Sequence, residues 1–176
     1  MWLTGLSGAG KSTIGRALTA ETERRGRCVE FLDGDVVRTH LSRDLGFSRA
    51  DRDTHVERLG WFASRLMRHR AVVVIAAISP YEAARATARA LIEENSVFVE
   101  VWVKATVDEC ARRDVKGLYA RAYAGEIPEF TGVSDPYEPP VRPEIVIDTE
   151  RQTPEESLSQ VLHELERRDL IAPADD

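Results

Sequence analysis

The stretch Gly5-Leu6-Ser7-Gly8-Ala9-Gly10-Lys11-Ser12 constrains this chain more than any other. It fits G-x-x-x-x-G-K-[ST] and lies between a short apolar run, Trp2–Leu6, and a helical pattern carried by Ile14, Ala17 and Leu18. That is the strand–loop–helix setting in which such a loop works. Its glycines let the backbone curl so that several N–H groups face one point, and the following helix adds its positive end. The combination suits anionic oxygens. Lys11 supplies a mobile charge for outer phosphates, and the Ser12 hydroxyl can ligate Mg²⁺.

The rest of the chain reads as the fold such a loop requires. Cys28–Leu32, Ala71–Ala77, Val97–Val103 and Ile145–Ile147 are short β-branched runs without polar alternation, as expected of strands buried on both faces. Helical spacing separates them: Val56, Leu59, Gly60, Ala63, Leu66 and Met67, then Tyr81, Ala84, Ala88, Leu91 and Ile92, and last Leu158, Val161, Leu162 and Leu165. Thr106 with Glu109, and Thr153 with Glu156, read as capping boxes, the second with Pro154 at the first helical position. This alternation predicts an α/β fold, a parallel sheet with helices on both faces and ligands beyond the strands' carboxyl ends. Residues 115–143 break the pattern. They hold Gly117, Gly125, Gly132, Pro128, Pro136, Pro139 and Pro140 with no steady period, yet also Tyr119, Phe130 and Tyr137. So long and aromatic a connection reads as a lid. One domain over residues 1–171, with a frayed tail at 172–176, is expected.

The 176 residues carry a formal net charge of −6, which argues against non-specific nucleic-acid binding. No apolar run approaches membrane-spanning length and no signal peptide is visible. Cys28 and Cys110 lie far apart, so a reducing, cytoplasmic setting is expected, with both thiols as small buried hydrophobes.

Carboxylates sit at Asp33-Gly34-Asp35, after the second strand and on the same sheet edge as the phosphate loop. The third apolar run ends instead in Ile78-Ser79, without the metal-binding Asp of hydrolytic switches, and no guanine-reading N-K-x-D exists. A carboxylate after the second strand can take a proton from an attacking hydroxyl or hold a metal through water. Asp35 can equally cap the helix that contains Val36 and Val37. Arg38, Arg52, Arg112, Arg113 and Lys116 follow as candidate clamps for oxyanions. Phe47 and Phe130, in polar stretches, are candidate platforms for a base.

Taken together, these stretches resemble the adenylylsulfate (APS) kinases of the P-loop kinase superfamily. The resemblance runs through Leu32-Asp33-Gly34-Asp35, Arg43-Asp44-Leu45-Gly46-Phe47-Ser48, Ile78-Ser79-Pro80-Tyr81, Arg113-Asp114-Val115-Lys116-Gly117-Leu118-Tyr119, Phe130-Thr131-Gly132 and Pro136-Tyr137-Glu138. It implies a three-layer P-loop kinase fold and transfer of the ATP γ-phosphate to the 3′-hydroxyl of adenosine 5′-phosphosulfate, with Mg²⁺. By that likeness Gly5, Ser7, Gly8, Ala9, Gly10, Lys11, Ser12, Thr13 and Arg113 would hold ATP, and Ser12 and Asp33 the metal. Lys11, Asp33, Asp35 and Ser79 would serve catalysis. Ser79 is a phosphoserine position in the family, although direct in-line transfer needs no covalent step. Arg38, Phe47, Arg52, His55, Ile78, Lys116 and Phe130 would join Asp35 and Ser79 around the acceptor. A homodimer and a functional link to an ATP sulfurylase are also implied. Val36, Thr54-His55 and Glu82 depart from the family pattern, and Ala120 and Tyr123 stand at lid positions that are often basic. These departures leave open a different nucleotide-derived acceptor, or a nucleotide-binding module without catalysis. His55, if it contacts the acceptor, would make affinity depend on pH near neutrality.

Overall fold

The computed structural model describes residues 1–172; all but the first residue of the expected tail lies outside the described residues. Five parallel strands form one sheet: β1 (Trp2–Thr4), β2 (Val29–Asp33), β3 (Val72–Ala76), β4 (Glu100–Lys104) and β5 (Ile145–Asp148). Their spatial order is β2-β3-β1-β4-β5. β1 therefore has β3 on one side and β4 on the other, where the chain's winding reverses. Open α/β sheets bind ligands beyond that point.

Helices cover both faces. α1 (Lys11–Arg24) and α7 (Pro154–Arg167) pack on one, where Leu3, Ile14, Leu18, Val101, Val103, Ile147, Val161 and Leu165 form a core. α3 (Arg49–Met67) and α4 (Glu82–Glu93) pack on the other, over Trp2, Val73, Ile75, Val56, Leu59, Ala84 and Ala88. Neighbours along each central strand go to opposite cores, as period-2 side chains must. Gly60 lets α3 and α4 approach closely: a Cβ there would lie 2.9 Å from Ala88. Three short helices remain, α2 (Gly34–Leu41), α5 (Val107–Arg113) and α6 (Leu118–Tyr123).

The structure corrects several expectations. Burial on both faces holds for β1 and β3 but not for the outer strands, since Glu30 of β2 and Val146 of β5 are exposed. An edge strand has only one covered side, and a short apolar run does not reveal which strands are outermost. Cys28 is exposed at the approach to β2, whereas Cys110 is buried as expected. Thr153 and Glu156 form the full capping box of α7. Thr106 forms only half of one: its hydroxyl accepts from the Glu109 amide at 3.2 Å, but its own N–H donates to Glu150 at 2.5 Å. The Glu109 carboxylate is taken instead by Arg112 and Arg113, both at 2.7 Å. Within residues 115–143 a helix does form, α6. It is too short to show a period, and Gly117 at φ 65 precedes it.

Candidate active site

The phosphate loop owes its path to one position. Gly5 ends β1 at φ 151, and a Cβ there would sit 2.3 Å from the Val103 carbonyl oxygen, so no larger residue fits. Gly10, in the left-handed region at φ 103, precedes α1 and offers no side-chain cap to its first turn. The N-terminal amides of α1 thus point outward with the helix dipole behind them, an anion-binding arrangement. Lys11, only 8% exposed, folds along the loop and donates to the carbonyls of Gly5 (3.0 Å) and Leu6 (2.8 Å). Burial pulls its pKa down to about 8, against the opposing pull of Asp35. Tyr119 fastens the loop from outside, its hydroxyl donating to the Ser7 carbonyl at 3.0 Å.

The loop floors a cleft of about 920 Å³. Ser7, Gly8, Ala9, Gly10, Lys11, Ser12, Thr13, Asp33, Asp35, Arg38, Phe47, Arg52, His55, Ile78, Ser79, Arg113, Lys116 and Phe130 all line it. Of the candidate residues Gly5 and Arg112 do not: Gly5 sits behind the loop and shapes it, and Arg112, an expected clamp, points to solvent and pairs with Glu109 at 2.7 Å. The Ser12 hydroxyl donates to Asp33 Oδ2 at 2.8 Å, which joins α1 to the end of β2. Asp33, not Asp35, caps α2: its Oδ1 accepts from the Asp35 amide at 3.1 Å. Asp35 is thereby left with its carboxylate in the cleft, 72% exposed and paired with Lys116. The capping alternative for Asp35 is removed by this geometry.

One helical turn beyond Asp35 a cationic wall begins. Arg38 lies over the Phe47 ring at 4.4 Å and donates to the Gly46 carbonyl. Burial, then the charge of Arg52, hold its pKa below the ordinary arginine value. Arg52 reaches from α3 to the 115–143 segment, donating to Thr131 Oγ1 at 2.9 Å and to the Glu129 carbonyl. Phe47 is 59% exposed; Phe130 is buried, edge-on to Tyr119 with ring centroids 5.0 Å apart. Phe130 is therefore partly core, a role its polar neighbours in sequence conceal. Ser79 stands at φ 41 with its hydroxyl accepting from Trp2 Nε1 at 3.0 Å.

His55 lies at the back of the cleft with Nδ1 2.9 Å from Ser42 Oγ. Burial first, and Arg38 second, lower its pKa to about 4. It is neutral at physiological pH, so the expectation of titration near neutrality is overturned. Glu82 does not line the cleft. Its carboxylate pairs with Arg85, beneath the turn, so its negative charge is offset away from any ligand. Val36 is exposed outside the cleft as well. The departures from the family pattern thus reach the cleft wall at His55.

Sequence reasoning missed Thr149, Gln152 and Ser157, which close the cleft beyond β5. Arg113 donates to the Thr149 carbonyl at 2.7 Å, and the Thr149 hydroxyl donates to Ala9 at 3.0 Å. Their position at the carboxyl end of a strand near the loop was the available signal, but it needs the strand order.

Oxygen donors at Ser12 and Asp33 fit Mg²⁺, which keeps waters and phosphate oxygens and asks little of the protein. Among the described residues no helix is long and apolar enough to cross a membrane.

Sheet order, phosphate loop and carboxylate pair define a P-loop kinase. The comparisons with known proteins narrow this further. The family model for adenylylsulphate kinase matches residues 1–148. An adenylyl-sulfate kinase of Halothermothrix orenii is 48% identical over 97% of this chain and 91% of its own. Among solved structures, the Mycobacterium tuberculosis APS kinase CysC in complex with AMPPNP and APS superposes with a TM-score of 0.91 at 39% identity, covering 94% of this chain and 95% of that one. A hexameric APS kinase from Thiobacillus denitrificans matches at 40% identity and a TM-score of 0.74, over 97% of this chain but 29% of that longer one. The chain belongs to the adenylylsulfate kinase family, and it is an ATP-dependent phosphotransferase.

Proposed function

We infer that this chain transfers the γ-phosphoryl group of ATP to the 3′-hydroxyl of adenosine 5′-phosphosulfate, giving the 3′-phosphorylated nucleotide and ADP. One observation carries the reading: the phosphate loop and Asp35 open into one cleft, which Arg38, Arg52 and Phe47 also line. A donor nucleotide and an acceptor nucleotide can therefore meet end to end.

In this reading Gly8, Ala9, Gly10 and Thr13 cradle the phosphates through the loop and the start of α1, and Lys11 swings its ammonium onto the outer ones. Ser12 and Asp33 hold Mg²⁺, which when bound neutralises phosphate charge. Arg113, fixed against Thr149, faces the donor base. Asp35 takes the proton of the acceptor hydroxyl as that oxygen bonds to phosphorus and the bond to the ADP oxygen breaks. Arg38 and Arg52 bind the phosphosulfate anion; Phe47 and Phe130 hold the acceptor base, with Ile78, Ser79 and His55 behind. Ser79 is a wall residue in this reading: its hydroxyl accepts from Trp2 Nε1 and donates to the Ala77 carbonyl at 3.4 Å. Lys116 ties the 115–143 segment to Asp35, and that segment is the lid that keeps water from the transferring group. The departures at Val36 and Glu82 stay clear of the cleft, and His55, the one that reaches it, adds no charge there, which supports the family's acceptor over a different one.

A cytoplasmic location and a homodimer go with this reading, testable by fractionation and by light scattering at the mass of two chains. The acceptor's own chemistry calls for a supplier that joins an adenylyl group to sulfate, the reaction of an ATP sulfurylase. The direct test is steady-state kinetics with ATP, Mg²⁺ and adenosine 5′-phosphosulfate. A kcat/KM above about 10⁴ M⁻¹s⁻¹ supports the assignment; a value far below it, beside faster transfer to another nucleotide, refutes it.

A further inference from the structure

Behind the acceptor wall lies a guanidinium that the chemistry above does not use. Arg85, on α4, is 2% exposed. A buried charge is costly unless its partners are well placed. Its partners here are specific. One terminal nitrogen donates to the Ser79 carbonyl at 2.8 Å, and the other to the Glu138 carbonyl at 2.8 Å. Its Nε faces buried Glu100 at 3.0 Å, and Glu82 pairs with the second terminal nitrogen.

The two carbonyls belong to different parts of the site. Ser79 is on the cleft wall, in a left-handed conformation that is costly in a non-glycine residue and persists only when its surroundings impose it. Glu138 closes the segment that carries Phe130 and Thr131. Around Arg85 the two strips are zipped together: Glu138 N–H donates to the Pro80 carbonyl and Glu82 N–H to Glu138 Oε2, each at 2.8 Å. To these the planar fork adds two side-chain bonds, one to each strip, since a guanidinium can donate to two carbonyls at fixed separation.

We propose that Arg85 is a positioning residue: it fixes the Ser79 wall and the end of the 115–143 segment in one register and so sets acceptor binding. This rests on the assignment of adenosine 5′-phosphosulfate as acceptor. Arg85 touches neither substrate, and its removal acts on the acceptor side because the phosphate loop has its own anchors at Gly5, Lys11 and Tyr119.

The test separates positioning from mere packing. R85M alone leaves the buried Glu100 carboxylate with Arg89, at 3.5 Å, as its cationic partner, so the double variant R85M/E100Q, which removes the Arg85 and Glu100 charges together, is made beside it, together with R85K. Lysine keeps a charge for Glu100, but its single ammonium does not reproduce the fork. The expected result is a folded R85M/E100Q with KM for the acceptor raised about tenfold or more and KM for ATP within about twofold, and R85K raised about fivefold. Wild-type acceptor KM in either folded variant overturns the proposal; R85K decides it if the double variant does not fold. A wild-type protein that fails to phosphorylate adenosine 5′-phosphosulfate overturns the functional assignment instead, a different and separable result.

Discussion

The two halves of the cleft are built by different means. On the donor side the backbone does the shaping: Gly5 has no room for a side chain, and Lys11 and Tyr119 bond to loop carbonyls. On the acceptor side long side chains do it, with Asp35 against Lys116, Arg38 over Phe47, and Arg52 reaching to Thr131. The first half is fixed by sterics. The second is held by side-chain pairings, and the exposed one between Asp35 and Lys116 is one that a ligand can exchange for its own contacts. Donor recognition is consequently the more rigid of the two, and the acceptor side is where binding can reorganise the site.

Breaking the donor half should cost most. Lys11→Ala removes both the charge for the outer phosphates and the clamp on the loop, and transfer should fall by about 10³-fold or more in a coupled ADP assay. Asp35→Asn keeps the shape of the acceptor half but removes the proton acceptor. We expect kcat to fall by about 10²–10⁴-fold with KM for ATP within about twofold; an equal loss in ATP binding would mean the halves are not separable.

The two phenylalanines sharpen the contrast within the acceptor half. Phe47→Ala removes an exposed ring and should raise the acceptor KM about tenfold while leaving Tm in place. Phe130→Ala should raise it similarly but also cost about 3 kcal/mol of stability in a denaturant titration, because that ring packs on Tyr119.

His55 should have the smallest effect at neutral pH. Its folded pKa is lowered to about 4, so between about 6.5 and 4 the unfolded chain takes up a proton that the folded chain refuses. Stability therefore falls as pH falls through that window, by up to about 3 kcal/mol from this group. His55→Asn should flatten the acid limb of a Tm-against-pH curve, and the acceptor KM of the unchanged protein should show no inflection between pH 6 and 8.

Much of the donor half was legible in the sequence, because a phosphate loop is a local object. Eight consecutive residues carry the glycines, the lysine and the hydroxyl, and the turn they make depends on few distant atoms. The parallel alternation of strands and helices was legible for the same reason, since period and capping are local. Features that depend on distant partners were misread or missed. The Thr106 N–H is taken by Glu150, 44 residues on, so its capping box is only half formed; Cys28 proved exposed; Thr149, Gln152 and Ser157 could be placed only with the strand order in hand.

What the sequence by itself determined is the phosphate-gripping loop, the α/β class and the family, all set by short-range sterics and spacing. The tertiary structure alone decided which aspartate caps and which faces the cleft, that Glu82 is spent on Arg85, and that His55 stays neutral. Asp35 meets Lys116, 81 residues on, and His55 meets Ser42, 13 residues back, and even the local Glu82–Arg85 pair depends on where the fold buries Arg85; electrostatics in a folded protein is fixed only once distances and solvent access are.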